Sequence, residues 1–528
     1  EVILNAYAEW GPECIHHFRG MFAFAIWDRA RRCVFLARDR LGIKPLYFYK
    51  TVGYFVFSSE VRALLASGLV PRRLDRVALS QYLTYQSVPA PRTLIDGVHA
   101  LPPGCWLQVE AEGHVKEHRY WDLLHDASAD GSSDAHARVA ELLQQSIALH
   151  QVSDVPVAAF LSGGIDSSAV VGLMAAVGGV PRTFSIGFTD LAYDETVHAR
   201  TIAERFGAEH TEVKLREDEL LERLPTAVGA MDQPTGDGVN TYIVAGSVRR
   251  AGIKVALSGL GGDELFAGYP SFRRLRRASR MLRVWGRTPR ALRRLAAAGV
   301  RTIGGSSVHA SKIAALVASD GRLAELYAPL RQVLAPAQVR ALLTTEWREM
   351  SMAADPYVPL LDDAFTQHAD SDRFLSRVSY AEARTYMHDV LLRDTDQMSM
   401  AHALEVRVPL LDHVLVEYVL GLPDVEKTPN GTPKRLLVES LGGLLPESVV
   451  RRPKQGFQLP FEPWMRGRLR AYCEERLAPD RLGGRGILRP DRLQQLWKSF
   501  VDGKPGVSWS RLWVLVVLED WLERNMHA

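Results

Sequence analysis

The stretch FLSGGIDSSAVVGL, Phe160 to Leu173, decides the fold. An apolar run that begins at Val155 stops abruptly at residues 162–164, which are Ser-Gly-Gly. An acid and two hydroxyl residues follow, and then a segment of small and apolar residues begins. This pattern predicts a buried strand, a tight polar loop and a helix that starts near Asp166. Ligands of open α/β sheets bind at such loops, because the loops lie at the carboxyl ends of the strands.

The loop after this strand suits an anion with several oxygen atoms. Free backbone N–H groups and the positive end of a helix dipole meet there, and the two glycines allow close approach. Ser162, Ser167 and Ser168 offer hydroxyl donors. Asp166 would repel phosphate unless it holds Mg²⁺, which prefers few carboxylates together with phosphate oxygens. The structural alternative is an ordinary Gly-rich turn capped by Ser and Asp. No lysine follows, so this is not a GxxxxGK[ST] loop.

A second loop with the same ingredients follows a predicted strand at 254–257. It reads SGLGGDELFAGY, Ser258 to Tyr269, and contains glycines and the carboxylate of Asp263. Two such loops at neighbouring strand ends would hold one Mg²⁺–triphosphate from both sides. The pairing of the loops is a more specific signal than either loop alone.

The rest of the chain divides at the polar stretch 126–133, which is typical of a linker. Before it, a short amphipathic helix over 1–10 precedes aromatic and β-branched runs that predict an antiparallel layer. After it, predicted strands alternate with helices, which indicates a doubly wound, mostly parallel sheet. Beyond residue 270 the pattern is mainly helical. The runs of the antiparallel layer are 21–27, 33–37 and 54–57, the later strands 155–161, 182–188, 211–215 and 254–257, and the later helices 135–150, one from 166, 195–206 and 240–251.

Composition excludes several classes of protein. The 528 residues carry 64 basic and 61 acidic side chains, a net charge of +3, so we expect neither nucleic acid nor a membrane as the main partner. The four cysteines, at 14, 33, 105 and 473, form no CxxC pair and are predicted to be reduced, buried thiols of a cytoplasmic protein. Eleven arginines between Arg273 and Arg301 favour a solvated helical face over a nucleic-acid patch, since Trp285 is the single aromatic residue among them.

The two loops together resemble those of the synthetase domain of glutamine-dependent asparagine synthetases. Further similar motifs follow in chain order, and the resemblance covers almost the whole chain. The upstream motifs, similar to the second half of the family's glutaminase domain, are RGMFAFAIWD (19–28), ARDRLGIKPLYF (37–48) and FSSEVRAL (57–64). The downstream motifs are TFSIGF (183–188), MSMA (398–401), LEVRVP (404–409) with LD (411–412), and RPKQGF (452–457).

The resemblance implies a fold and a reaction. The fold is α/β: a partial antiparallel glutaminase layer of the N-terminal-nucleophile type (1–115), a linker (116–134), and a doubly wound ATP pyrophosphatase domain with a helical C-terminal part (135–528). The reaction adenylates a carboxylate, that of aspartate, with MgATP and releases pyrophosphate. Ammonia from glutamine then gives asparagine and AMP. The expected partners are these small molecules; a homodimer is compatible with the resemblance, which leaves the oligomeric state open.

The resemblance also assigns roles to residues. Asp166 and Asp263 would bind Mg²⁺, and Lys454 would neutralise phosphate charge as AMP forms; these three would be the catalytic residues. Glu405, Arg407 and Asp412 match a signature that a structural ion pair explains about as well. The residues expected to bind ATP or pyrophosphate are Leu161, Ser162, Gly163, Gly164, Asp166, Ser167, Ser168, Ile186, Ser258 and Gly259.

The start of the chain departs from the family pattern. The family's cysteine nucleophile, which is its N-terminal residue, has no counterpart here, so we expect no glutaminase nucleophile in this chain. Cys14 has no readable base or oxyanion hole beside it and is expected to be structural. The chain starts at Glu1 rather than Met, which favours a missing N-terminal part over loss of glutaminase activity.

Leu260 is the second departure, since the family usually has an acid at this position. Gln233 likewise replaces a glutamate. We hypothesise that Asp232 or Asp237 supplies the missing carboxylate. Two alternatives to an asparagine synthetase stay open: the same adenylating chemistry on another acceptor, giving an amide or lactam, and a non-catalytic nucleotide-binding scaffold. Retention of Asp166, Asp263 and Lys454 argues against the scaffold.

Overall fold

Three sheets organise the chain. The computed structural model describes residues 1–129, 134–188, 196–304, 308–350, 355–367, 373–452, 459–504 and 506–526. The strands are β1 (Ala23–Asp28), β2 (Cys33–Arg38), β3 (Tyr47–Lys50), β4 (Phe55–Ser58), β5 (Val98–Ala100), β6 (Cys105–Glu110), β7 (Val115–Arg119), β8 (Val157–Phe160), β9 (Arg182–Phe188), β10 (Glu209–Leu215), β11 (Val255–Leu257) and β12 (Glu405–Arg407).

Helices surround these sheets and dominate the C-terminal half. They are α1 (Val2–Trp10), α2 (Val61–Ala66), α3 (Arg76–Tyr85), α4 (Ala135–Gln151), α5 (Ile165–Val177), α6 (Thr196–Arg205), α7 (Glu217–Ala230), α8 (Val239–Arg250), α9 (Gly262–Leu265), α10 (Pro270–Trp285), α11 (Arg290–Gly304), α12 (Val308–Ala318), α13 (Leu323–Arg331), α14 (Pro336–Leu342), α15 (Thr345–Met350), α16 (Tyr357–Gln367), α17 (Phe374–Glu382), α18 (Arg393–Met400), α19 (His413–Gly421), α20 (Asp424–Lys427), α21 (Arg435–Ser440), α22 (Glu447–Val450), α23 (Phe461–Arg466), α24 (Arg470–Arg476), α25 (Pro490–Val501) and α26 (Trp509–Met526). Shorter 3₁₀ turns span Gly11–His17 and Pro409–Leu411, and a π-wound segment, Ala383–Leu392, joins α17 to α18.

The N-terminal layer contains two antiparallel sheets, ordered β1-β2-β6-β7 and β4-β3-β5. Buried Leu36 and Leu107 of the first sheet and Leu46 and Leu101 beside the second form one apolar cluster, so the sheets pack face to face. The structure confirms the predicted antiparallel layer through β1, β2 and β4. It adds four strands that the pattern did not predict, among them β7, whose side chains are mostly exposed and polar.

The third sheet, which is parallel, confirms the predicted doubly wound fold. Its five strands run parallel in the order β10-β9-β8-β11-β12. The chain moves outward from β8 to β10 and then returns to place β11 on the other side of β8. The order therefore reverses between β8 and β11, and a crevice opens outside the carboxyl ends of strands at such a point.

The C-terminal helices tie the layers together through α26. Residues 512–518 of this helix are all fully buried. The hydroxyl of Tyr82 in α3 donates a hydrogen bond to the Val514 carbonyl at 2.8 Å, and Arg19 pairs with Asp412 at 2.8 Å. The N-terminal layer is thus anchored to the domain that carries the parallel sheet.

Three composition-based expectations have structural counterparts. All four cysteines are buried and free. Most of the arginines described on α10 and α11 are exposed, whereas Arg293 is buried and donates to the Thr288 carbonyl at 3.2 Å. Within the described residues, no helix combines the length and apolarity that a bilayer crossing requires.

Candidate nucleotide site

Two strand-end loops face each other at the switch point. β8 and β11 are paired in parallel, with Leu257 opposite Ala159, so both strands end at the same edge. The first loop continues into α5, whose N-cap is Gly164, and the second into α9, whose N-cap is Gly261 with φ +96°. Since backbone N–H groups at the start of a helix lack intrahelical partners, both loops present donors to the crevice.

Two glycines, one in each loop, leave no room for a side chain. A Cβ on Gly259 would lie 2.8 Å from the Asp166 Cβ and 2.9 Å from the Ser167 nitrogen. Gly163 has φ +72°, and a Cβ there would lie 2.6 Å from the Cβ of His198. These contacts explain in steric terms why the motifs contain glycine at these positions.

Gly259→Ala is expected to push the two loops apart. Overpacking of this kind costs about 1–3 kcal/mol, so we expect a rise of about tenfold in the dissociation constant for ATP, measured by calorimetry. Gly178 has φ +121° and nothing within 4 Å of its missing Cβ. Gly178→Ala therefore strains the backbone without a steric clash, and it controls for a general loss of stability. Unchanged ATP affinity in Gly259→Ala would contradict the close approach of the loops.

A buried lysine joins the two predicted metal ligands. The ammonium of Lys434 forms an ion pair with Asp166 and lies 2.8 Å from Asp263 Oδ1. Lys434 is only 5% exposed. Burial by itself lowers its pKa, but the charges of Asp166 and Asp263 outweigh this effect and raise the pKa above its usual value. Sequence reasoning missed Lys434, because it lies in no motif and meets the carboxylates only through the tertiary fold.

The donor set around Lys434 fits Mg²⁺. Two carboxylates already converge on a cation, and Mg²⁺ usually takes one or two carboxylates together with substrate phosphates. Within the part of the chain that the structure describes, no group of three or more His, Cys, Asp or Glu side chains is arranged to hold a metal. A bound Mg²⁺ would therefore take its remaining ligands from a nucleotide and water.

The hydroxyl residues of the first loop divide into two groups. Ser162 and Ser167 line the crevice, and their hydroxyl oxygens lie 3.1 Å apart. The Ser167 hydroxyl also accepts a hydrogen bond from the Ser162 backbone nitrogen at 3.2 Å. Ser168 is fully buried behind the loop, and its hydroxyl does not reach the crevice.

The crevice is a cavity of about 430 Å³. Predicted residues Leu161, Ile186, Ser258 and Gly259 line it together with both metal-site carboxylates. Lys454 lies outside the described residues. The full described lining is Phe160, Leu161, Ser162, Asp166, Ser167, Phe184, Ser185, Ile186, Asp237, Asn240, Thr241, Val244, Ser258, Gly259, Leu260, Gly261, Asp263, Glu264, Tyr269, Leu391, Asp394, Thr395 and Val406.

The cavity lining that includes Leu260 is rich in acids. Burial raises the pKa of Asp394 to about 7, although nearby Arg393 opposes this shift. Burial also raises the pKa of Glu264 to about 7, against a 2.6 Å hydrogen bond from the Tyr269 hydroxyl. Burial raises the pKa of Asp237 as well. The sequence pattern had pointed to Asp237 but not to Asp394.

Asp232 does not supply a carboxylate to this cavity. Its two oxygens accept hydrogen bonds at 2.8 Å from the backbone nitrogens of Val61 and Arg62, at the start of α2. The hypothesis that Asp232 replaces the missing acid is therefore wrong: the backbone of the N-terminal layer holds its side chain there. Asp237, the other candidate, lines the cavity.

The remaining candidate residues have structural partners. Arg407 pairs with Glu405 at 2.7 Å and donates to the His150 carbonyl at 2.7 Å. Asp412 caps α19 through the Val414 nitrogen at 3.0 Å. Cys14 is fully buried, and burial raises the pKa of its thiol, which disfavours the reactive thiolate.

The fold and this crevice define a class of protein: a doubly wound α/β domain with paired, acid-bearing, glycine-rich loops at its strand ends, joined to an antiparallel layer. Two family models match the chain, the asparagine synthase model over residues 138–523 and a glutamine amidotransferase domain over residues 1–121. The chain belongs to the asparagine synthase family, whose glutamine-hydrolysing synthetases are ligases. This confirms the family resemblance of its motifs. The predicted domain boundaries at 115 and 134 stay predictions.

Named relatives resemble the chain over most of its length. Asparagine synthetase [glutamine-hydrolyzing] 1 of Bacillus subtilis is 29% identical and aligns with 100% of this chain and 81% of its own length. A putative asparagine synthetase [glutamine-hydrolyzing] of Mycobacterium tuberculosis is 34% identical over 88% of this chain and 71% of its own length. Amidase chyE of Penicillium rubens is 27% identical over 96% of this chain and 79% of its own length.

Proposed function

We propose that the chain catalyses ATP-dependent amide synthesis on the side-chain carboxylate of L-aspartate, with ammonia from glutamine as the nitrogen donor. The observation that carries this proposal is the pair of loops at the switch point, where Asp166 and Asp263 converge on the cation of Lys434. Family membership supports the class of reaction.

In the proposed first step, an aspartate carboxylate oxygen attacks the α-phosphorus of ATP. An acyl-adenylate forms and pyrophosphate leaves with the electron pair of the broken P–O bond. Ser162 and Ser167, with the N–H groups at the starts of α5 and α9, would hold the pyrophosphate oxygens. Mg²⁺, held by Asp166 and Asp263, would neutralise phosphate charge. Positioning and charge neutralisation account for most of the catalysis in phosphoryl transfer.

Lys454 is proposed to stabilise the charge that builds up on the α-phosphate. Its support comes from the RPKQGF motif (452–457), which resembles the corresponding family motif, and from the family membership of the chain.

The N-terminal layer is proposed to belong to the glutaminase that releases ammonia. We place no nucleophile among residues 1–528. The substrates are proposed to be ATP, aspartate and glutamine or ammonia, with Mg²⁺ as cofactor. A cytoplasmic location and a homodimer are further predictions.

Supplying ammonium bypasses the glutaminase and tests the synthetase alone. With MgATP, ammonium and aspartate, we expect pyrophosphate and asparagine to appear in equal amounts, measured by a coupled phosphate assay and chromatography. Pyrophosphate without asparagine, or release only with another carboxylic acid, would contradict aspartate as the acceptor. ATP binding without turnover on any acid would indicate the scaffold alternative.

A further inference from the structure

Two carboxylates that line the cavity, those of Asp237 and Asp394, belong to neither of the two strand-end loops. Asp237 immediately precedes Gly238, the N-cap of α8, and Asp394 lies in the first turn of α18. One hydroxyl connects them: Thr235 Oγ1 donates to Asp394 Oδ2 at 2.7 Å and accepts from the Asp237 nitrogen at 3.4 Å. Gln397 Nε2 donates to the other Asp394 oxygen at 2.9 Å. The fold therefore holds Asp394 in one orientation beside Asp237.

The cavity offers these acids little cationic compensation. Five carboxylates line it, and no lysine, arginine or histidine is among its described lining residues. Lys434 forms ion pairs with Asp166 and Asp263, not with Asp237 or Asp394. Asp237 receives one long hydrogen bond, from Asn240 Nδ2 at 3.4 Å. Arg393, which is not among the lining residues, offsets part of the Asp394 charge. Buried like charges remain unfavourable to each other, so the pair favours a small positively charged ligand that donates hydrogen bonds.

We propose that Asp237 and Asp394 form the site that binds the ammonia nucleophile, as ammonium or ammonia, and that takes up its proton during amide formation. This inference rests on the proposed function. The Leu260 side chain offers no acceptor, so within the described lining the acids other than Asp166 and Asp263 are this pair and Glu264, whose carboxylate is held by Tyr269.

The chemistry balances with the groups present. Ammonium, where it is the bound form, first gives one proton to one carboxylate of the Asp237–Asp394 pair and becomes ammonia. The nitrogen lone pair of ammonia then forms a bond to the acyl carbon of the adenylate, and the resulting N–H⁺ gives one proton to the other carboxylate. The C–O bond to AMP then breaks, AMP leaves with that electron pair, and the amide remains. A carboxylate within hydrogen-bond reach typically contributes about 100- to 10,000-fold to such a step.

Other charged or titratable groups face the pair and set its pH response. Arg393 lies beside Asp394 and opposes the raised pKa, whereas the charge of Asp237 supports it. Tyr386, on the π-wound segment, faces Asp237, and its own pKa is raised chiefly by burial. Glu264 and Tyr269 also line the cavity. Because proton uptake needs the ionised pair, the rate of amide synthesis should fall as pH drops through the raised pKa.

The test compares two partial reactions in Asp237→Asn and Asp394→Asn. We expect aspartate-dependent exchange between ATP and pyrophosphate to change less than about threefold, while ammonium-dependent asparagine synthesis falls about 100-fold. In Asp394→Asn the like charge is removed, so the acid limb of the synthesis rate should move to lower pH by about one unit. Asp396→Asn, on the same helix but paired with Lys44 at 2.8 Å, is the matched control for folding and should leave the ratio of the two reactions unchanged.

The outcomes separate the inference from the proposed function. If the wild-type chain shows no aspartate-dependent exchange, the proposed function fails and this inference with it. If exchange is normal but Asp237→Asn keeps its synthesis rate and its KM for ammonium, the site assignment is wrong and the proposed function stands. Equal loss of exchange and synthesis in both variants would also overturn the assignment, since it would place the pair in adenylation or in folding.

Discussion

Replacing Asp166 or Asp263 by asparagine is expected to lower the rate of pyrophosphate release about 1000-fold. Removing one group that stabilises developing charge commonly costs about 100- to 1000-fold, and here the same change weakens a metal ligand. Asparagine keeps the shape of the side chain, so the close packing of Gly259 and Gly262 against Asp166 is preserved. Initial rates of pyrophosphate release at saturating ATP measure the effect.

The control for this prediction lies at the other end of the same strand. Asp154 is exposed and precedes β8, so Asp154→Asn removes an equal charge at the amino end of the sheet. We expect a rate within about twofold of the wild type. Comparable losses in Asp154→Asn and Asp166→Asn would show that overall charge, not the crevice, governs the rate.

Replacing Lys434 by methionine is expected to destabilise the chain by about 3–5 kcal/mol, since it leaves two buried carboxylates without their shared cation. Binding of Mg²⁺ to the folded chain at the proposed site should recover part of this loss. We therefore expect a lower Tm without metal, and a larger rise in Tm on adding Mg²⁺ than the wild type shows. Thermal scans with and without Mg²⁺ measure both quantities and need no activity.

Lys427→Met provides the matched control for this second prediction. Lys427 is equally buried but donates to the Leu422 carbonyl at 2.7 Å and the Val419 carbonyl at 3.0 Å, away from the crevice. Its loss should lower Tm with no extra response to Mg²⁺. If both variants respond to Mg²⁺ alike, the two carboxylates beside Lys434 are not a metal site.

Local patterns were sufficient to predict the centre of the fold. The strand β9 has the predicted bounds 182–188, and α4, α5 and α8 begin within one residue of the predicted positions. These elements are apolar or strongly periodic, and glycines mark both ends of α5 and the start of α8. By contrast, β12 is three residues long and begins and ends with charged side chains, and β7 is a polar edge strand. Their pairing depends on neighbours that are distant in sequence.

The candidate site likewise has one part that the sequence predicts and one part that depends on the tertiary fold. The residues within each loop are contiguous in sequence, so their types and spacing predict a phosphate-binding site. Lys434 and Asp394 come from helical regions more than 120 residues further along the chain, and only the tertiary fold brings them to the loops. Asp232 is the opposite case. Its position in a motif suggested that it lines the cavity, but backbone N–H groups of α2 hold its carboxylate elsewhere.

The most direct test of the central claim follows an oxygen atom. L-Aspartate labelled with ¹⁸O in its side-chain carboxylate is turned over with MgATP and ammonium, and the products are analysed by mass spectrometry. The account predicts one ¹⁸O atom in each AMP and none in pyrophosphate, because the carboxylate oxygen attacks the α-phosphorus and later leaves with AMP. Unlabelled AMP, or ¹⁸O in another phosphate product, would contradict adenylation of aspartate at this crevice.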